Sequence, residues 1–164
     1  APVLTSFDGS VDALWERLST LVGCAVVRDR AYLNWRLFDC PSAQYRTVAN
    51  ATRDLSALVS THVADKHGGR IGYVMEAMGE TSELLPLLRS EVGHMRELDV
   101  EVALAWCFPW SPNYAAFRGA GFHPLPRRLR PAEIYFGARA YTALGARALQ
   151  PAAWYLSYLD SDTV

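Results

Sequence analysis

The sequence predicts an α/β (α+β) domain: a mixed, mostly antiparallel sheet with one parallel strand pair and flanking helices. Three observations carry this. Two stretches near the start place apolar residues at three- and four-residue steps. Three strand-like runs in the middle are separated by short polar turns. A helix-length stretch then separates the third run from a fourth, and a strand–helix–strand crossover of that kind joins parallel strands.

The elements follow in order. Asp8-Gly9-Ser10 can cap a helix, and Val11, Leu14, Trp15, Leu18 and Leu21 share one helical face until Gly23. Residues 24–27 are a short apolar run. Asp29 starts a second helix carrying Tyr32, Leu33, Trp35, Leu37 and Phe38, and Pro41 stops it. Residues 45–51 and 55–63 flank the polar turn Thr52-Arg53-Asp54, which reads as a hairpin. The turn at residues 65–69 leads into a third strand, 70–78, completing an antiparallel meander. Thr81 or Ser82 can cap a helix bearing Leu84, Leu85, Leu88, Val92 and Met95, with Pro86 near its start. Residues 100–108 form a buried strand, expected to lie parallel to 70–78. Pro112 opens a short helix over 113–120 that Gly121 ends. Residues 132–138 and 154–159 read as final strands, and the Ala-rich stretch 139–150 between them as helix or loop.

Composition narrows the classes. A chain of 164 residues fits one domain, so residues 1–164 are taken together. It is 51% apolar and 20% charged, which is a globular composition and not a disordered one. A net charge of −1 provides no bulk attraction to nucleic acid or an anionic membrane. No apolar run approaches the roughly 20 residues that span a bilayer, and no charged-then-apolar leader is seen. Cys24, Cys40 and Cys107 are odd in number and widely spaced, with no CxxC pair. Reduced thiols and a cytoplasmic location are the expectation, with no structural zinc. His62, His67, His94 and His123 lack metal-ligand spacing, so no metal is expected. Arg118, Arg127, Arg128 and Arg130 make a small basic cluster able to meet a phosphate or an acidic substrate.

The element order resembles that of the GNAT N-acetyltransferase superfamily. Residues 27–36, Val-Arg-Asp-Arg-Ala-Tyr-Leu-Asn-Trp-Arg, followed by Pro41 and Tyr45, resemble the RDxxYLxWR…P…Y segment of bacterial GNAT-like proteins, some of which carry two GNAT-like halves. Ala120-Gly121-Phe122 resembles the GF after the family's last core helix. Trp154-Tyr155-Leu156 with Asp160-Ser161-Asp162 resembles the family's C-terminal strand and tail.

The resemblance implies an acyl-CoA-dependent N-acyltransferase using acetyl-CoA. In that family two parallel strands splay apart and admit the pantetheine arm. The pyrophosphate sits on backbone amides where the next helix begins, since free N–H groups and the helix dipole bind anions. The family's phosphate loop reads R/Q-x-x-G-x-G/A, whereas this junction is Met78-Gly79-Glu80-Thr81-Ser82-Glu83-Leu84, with one glycine and two carboxylates. The loop is therefore degenerate, and the alternative is an ordinary capped helix whose glutamates complement the helix dipole and would repel a pyrophosphate. Backbone at Ala77, Met78, Gly79, Thr81 and Ser82 is the candidate cofactor site, with Asn113 at the start of the later helix.

Glu76 lies in an apolar strand and is the candidate general base that would make an amine nucleophilic. Its alternatives are a solvent-facing position or pairing with an arginine. Phe117 and Ala116 occupy the places of the family's usual acid tyrosine, which leaves Tyr114 as the candidate acid or, alternatively, as packing against Phe117 and Trp110. The partners implied are a small-molecule amine or a second GNAT-like domain. The rival to the enzyme is a non-catalytic GNAT-like module that braces or completes a catalytic partner. A ligase relative using an aminoacyl-tRNA donor would need a broad basic channel, which the near-neutral charge does not supply.

Overall fold

The computed structural model describes residues 1–41, 43–50, 54–66, 68–130 and 137–161. The first helix, α1, spans Ser10–Ser19 and buries Val11, Leu14, Trp15 and Leu18, as the periodicity predicts. Asp8 sits just ahead of it, and its carboxylate accepts from the amide and hydroxyl of Ser10. Leu21 falls past the end of the helix and is exposed. Helix α2, Arg30–Asn34, is capped by Asp29, whose carboxylate accepts from the Tyr32 amide at 2.8 Å. It continues as one π-helical turn, Trp35–Asp39.

Strands β1 (Arg46–Ala49), β2 (Ala57–Lys66) and β3 (Gly69–Gly79) form the antiparallel meander. Helix α3, Thr81–Glu97, crosses over to β4, Val102–Ala105, which pairs parallel to β3. The sheet order is β1-β2-β3-β4, matching the expected mixed, mostly antiparallel sheet with one parallel pair. A short helix α4, Tyr114–Gly119, follows.

Two apolar layers cover the sheet. On one face Val11, Leu14, Leu18, Leu33 and Leu37 pack with Leu58, Tyr73, Met75 and Met78. On the other, Leu84, Leu87, Leu88 and Met95 of α3 and Phe117 of α4 pack on Val48, Val59, Val74 and Ala77. A β-bulge decides which strand residues face which layer. The β2–β3 register runs from Ser60↔Glu76 directly to Thr61↔Val74, so Met75 is the extra residue. An inserted residue breaks simple alternation. Met75 and Glu76 consequently share the α1/α2 side, while Val74 and Ala77 face α3.

Several local expectations are corrected. β4 is four residues long and not nine. Asp99 adopts a positive φ of 55°, and Val100 folds back onto the helix end through a 3.1 Å bond to the Met95 carbonyl. Neither Thr81 nor Ser82 caps α3, because Glu80 holds the cap position and makes no side-chain cap bond. Residues 154–159 are not a strand. Only Trp154 bridges, to Cys24, and Tyr158–Asp160 is a 3-10 turn closed by a capping box of Ser157 and Asp160. Those side chains bond the local backbone in place of a strand ladder. The 139–150 stretch contains a 3-10 helix, Leu144–Leu149. Residues 52, 53, 67, 132–136 and 162, which carry parts of the expected turns, the penultimate strand and the tail, lie outside the described residues. Among the described residues no helix is long and apolar enough to cross a membrane.

Candidate functional site

The site is built by a length mismatch between two parallel strands. Pairing of β3 with β4 runs from Ile71↔Val102 to Val74↔Ala105 and stops, while β3 continues to Gly79. The chain beyond Ala105 leaves the sheet and returns through a turn at Phe108–Ser111 to the start of α4. The wedge is this parting of the strands: from Met75 to Gly79 the β3 edge has no pairing with β4, and side chains fill the place beside Ala77. Backbone groups along such an edge need partners.

At Ala77 side chains supply those partners. The Ala77 amide donates to Glu76 Oε1 at 2.9 Å. Its carbonyl accepts from Asn113 Nδ2 at 2.9 Å, and the Tyr155 hydroxyl oxygen lies 3.2 Å from the same carbonyl. Asn113 is fixed by its buried place at the start of α4, and its Oδ1 accepts from the Cys107 thiol. An acceptor and a donor thus stand side by side at one residue of the strand edge, as the backbone of another strand would.

Behind this edge lies a closed ionic cluster. Glu76 is 0% exposed. Its Oε2 accepts from Arg28 Nε at 3.1 Å and from the Ser157 hydroxyl at 2.9 Å, and its Oε1 accepts from the Tyr155 hydroxyl at 2.5 Å. Arg28, also fully buried, donates in addition to the Val26 carbonyl and to Asp160 Oδ2. Its guanidinium lies over the rings of Tyr32 and Tyr155, 5.8 and 5.5 Å from their centroids. Burial works against the Arg28 charge, but Glu76 and Asp160 outweigh it and hold the guanidinium above its ordinary pKa. Burial, reinforced by the Glu76 charge, pushes the Tyr155 phenol well above its ordinary value, so it remains a donor.

This geometry decides between the alternatives for Glu76. Its two oxygens are taken by four internal donors, and no surface is left for an amine to approach. The carboxylate is the arginine's partner, and the general-base role has no route to substrate in this conformation. The bulge at Met75 is the cause, since it turns Glu76 toward Arg28. Tyr114 opens α4 beside Asn113 and is half-buried. Ala77 and Asn113 are brought together, and Met78, Gly79, Thr81 and Ser82 follow along the same strand-to-helix corner.

At that corner Gly79 has φ of +141°, which turns the chain into α3. The first amides of a helix have no partner within it, and no side chain caps these. A depression beside the corner is lined by Arg17, Asp54, Ser56, Glu80 and Glu83. Asn50 Nδ2 donates to the Glu83 carboxylate at 3.2 Å. Arg17 is held by a 2.9 Å bond from Nη2 to the Leu55 carbonyl. It sets one positive charge against the Asp54, Glu80 and Glu83 carboxylates that line the same depression. No local signal marks it, because it belongs to α1, far away in the chain.

The RDxxYLxWR segment has a structural role. Arg28 grips Ser157 and Asp160, while Arg36 donates to the Tyr45 hydroxyl and the Ser161 carbonyl. Both arginines tie the second helix to residues 157–161. Burial pushes the Cys107 thiol up to about 12, which disfavours the reactive thiolate. Arg118 of the basic cluster spends its donors locally, on the Phe122 carbonyl and the His123 ring. Among the described residues no group of His, Cys, Asp and Glu could hold a metal ion.

No family model matches the sequence, and no curated protein does. Solved structures do match in shape. A point mutant of TTHA1254 from Thermus thermophilus is 17% identical with a TM-score of 0.52, covering 85% of this chain and 100% of that one. The aminoglycoside acetyltransferase meta-AAC0020 from an uncultured soil metagenomic sample, in complex with sisomicin, is 12% identical with a TM-score of 0.54, covering 84% of this chain and 95% of that one. The aminoglycoside 6'-N-acetyltransferase AAC(6')-IG from Acinetobacter haemolyticus is 10% identical with a TM-score of 0.52, covering 85% and 99%. At these identities the likeness is one of shape, and it establishes that this chain has the GNAT N-acetyltransferase fold.

Proposed function

We propose that this chain is an acyl-CoA-dependent N-acyltransferase domain whose donor, acetyl-CoA, enters the wedge beside Ala77. The observation that carries this is the early end of the β3–β4 pairing at Val74 and Ala105, with β3 running on to Gly79 and straight into an uncapped helix. An extended amide-bearing arm fits a strand edge, and a diphosphate fits free helix amides. Backbone of Ala77, Met78 and Gly79 would hold the arm, and the amides of Thr81 and Ser82, helped by Arg17, the diphosphate. Asn113 would offer its amide from the opposite wall. The acyl-CoA supplies an activated thioester. The amine nitrogen bonds to the acyl carbon, the carbon–sulfur bond breaks, and the amine proton passes to the sulfur by way of a base and an acid. Tyr114 is the candidate acid. Glu76 can be the base only if the side chains that enclose it withdraw. The acceptor in this reading is a small-molecule amine, and cysteines that form no disulfide agree with a reducing compartment such as the cytoplasm.

The enclosed Glu76 favours a second reading, a GNAT-like module without catalysis that completes a partner GNAT-like domain. Ligand binding separates the two. A ligand that binds only the folded state at a hundred times its Kd adds about 2.7 kcal/mol. For a domain of this size that is a rise of about 5–10 °C in Tm. Millimolar acetyl-CoA is expected to produce it, and an unchanged Tm would leave the non-catalytic module.

A further inference from the structure

One stretch of the sheet is left partly bare on the α1/α2 side. The register sets His62, Tyr73 and Leu104 in one row across β2, β3 and β4, and Ala64, Ile71 and Val102 in the next row toward the β2–β3 hairpin. Tyr73 is buried in the core under α1 and α2, whereas His62, Ala64, Ile71 and Leu104 are half-buried and Val102 is 48% exposed. Aromatic rings run along this strip without a break. Tyr45 meets His62 edge-on at 5.6 Å, His62 lies on Tyr73 at 6.5 Å, Tyr73 meets Tyr158 at 5.4 Å, and Tyr158 stacks on the half-buried Trp106 at 4.6 Å. The rings at the far end are held in place: Arg36 donates to the Tyr45 hydroxyl at 3.0 Å, and His62 Nδ1 lies 2.9 Å from the Gln44 carbonyl oxygen. The near end is Trp106, the first residue beyond the last β3–β4 pair, Val74↔Ala105. A contiguous apolar surface that reaches a candidate site marks a place for a ligand.

We infer that this strip binds the acceptor and selects an aromatic primary amine with a short arm. This rests on the acyl-CoA reading above and adds the class of its acceptor. With the diphosphate at the start of α3 and the arm running from Gly79 to Ala77, the thioester points to the head of the wedge, beside Trp106. A strand rises about 3.3 Å per residue, so a ring seated over Leu104 lies about 7 Å from Trp106. A ring with a two-carbon arm spans that gap and brings its nitrogen to the acyl carbon. Aromatic side chains favour a planar ring through offset and edge contacts. None of the strip's residues is a carboxylate, and a polycationic acceptor needs opposite charge to hold it. The nitrogen bonds to the acyl carbon as the carbon–sulfur bond breaks. The products are the N-acetyl amine and the free CoA thiol, with the amine proton ending on the sulfur.

Turnover by the whole chain tests this, with acetyl-CoA as donor and phenylethylamine as the acceptor probe, set against spermidine, an aliphatic polycation. Phenylethylamine is expected to show a kcat/KM about tenfold above that of spermidine. Leu104→Gln places an amide in the middle of the strip. It is expected to raise KM for phenylethylamine about tenfold with kcat little changed, and to leave acetyl-CoA binding by calorimetry as in the parent. If that variant does not fold, Val102→Glu at the exposed margin serves, with a smaller rise. Saturating phenylethylamine is also expected to shift the amide resonances of Ile71, Leu104 and Trp106 in the parent. Acetyl-CoA binding with spermidine the better acceptor, with neither amine acetylated, or with equal KM in the parent and the folded variants overturns the acceptor class and leaves the acyl-CoA reading standing. A dimer of the parent that Leu104→Gln dissociates assigns the strip to a second copy and overturns the acceptor class likewise. Absence of acetyl-CoA binding to the parent overturns both.

Discussion

Arg28→Ala is expected to destabilise the fold by about 3–5 kcal/mol, the usual cost of removing one partner of a buried ion pair. The side chain is fully buried and stands between Glu76 and Asp160. Its loss leaves two carboxylates inside the protein without a counter-charge. The damage should extend beyond one contact, because Arg28 joins the end of the apolar run 24–27, β3 and the 157–161 turn. Urea unfolding measures it, read from the midpoint at constant slope. A change under about 1 kcal/mol would mean that the cluster is not a structural hub. The pair itself need not be strongly stabilising in net terms, since replacing both charges by apolar residues of similar volume is often neutral. Arg28→Met combined with Glu76→Met should recover only part of the loss, because Asp160 stays buried without its counter-charge, and the double-mutant cycle reports the Arg28–Glu76 coupling.

Gly79→Ala is the second large effect, expected at about 3 kcal/mol from backbone strain and overpacking together. At φ of +141° an L side chain is strained wherever it points. Space is lacking as well. An added Cβ would stand 2.6 Å from Ala57 Cβ and 2.7 Å from the Ser56 carbonyl oxygen, and backbone cannot step aside cheaply. The corner between β3 and α3 has to move, and the amides of Thr81 and Ser82 move with it. Gly79→Ala should therefore lower stability in urea and weaken acetyl-CoA binding together. Full stability in the variant would show that the tight corner is not required.

Much of the fold could be read from the sequence because it rests on periodicity. Val11, Leu14, Trp15 and Leu18 declare one helix face, and the meander declares itself by short polar turns. The parallel β4 follows from the helix-length crossover. The site was harder to read for physical reasons. Nothing local to Met75 announces a bulge, yet the bulge decides that Glu76 meets Arg28 and not solvent. Residues 154–159 read as a strand because Trp154, Tyr155 and Leu156 have strand-like side chains. Ser157 and Asp160 override that propensity with a capping box, a four-residue signature that the aromatic run masks. Arg17 is helical and remote, and only the folded chain sets it beside Glu80. The resemblance over residues 27–36 was visible as a pattern, while its physical role, two arginines binding residues 157–161, depended on tertiary structure.

The most direct test of the wedge as the acyl-CoA site is a residue-resolved one. Amide resonances of the 15N-labelled chain are followed while acetyl-CoA is added. The account predicts saturable shifts concentrated at Ala77, Gly79, Thr81 and Ser82, along the edge of β3 and the first turn of α3. A spectrum that stays still at millimolar acetyl-CoA, or shifts confined to the far hairpin around Asp65 and Arg70, would contradict it.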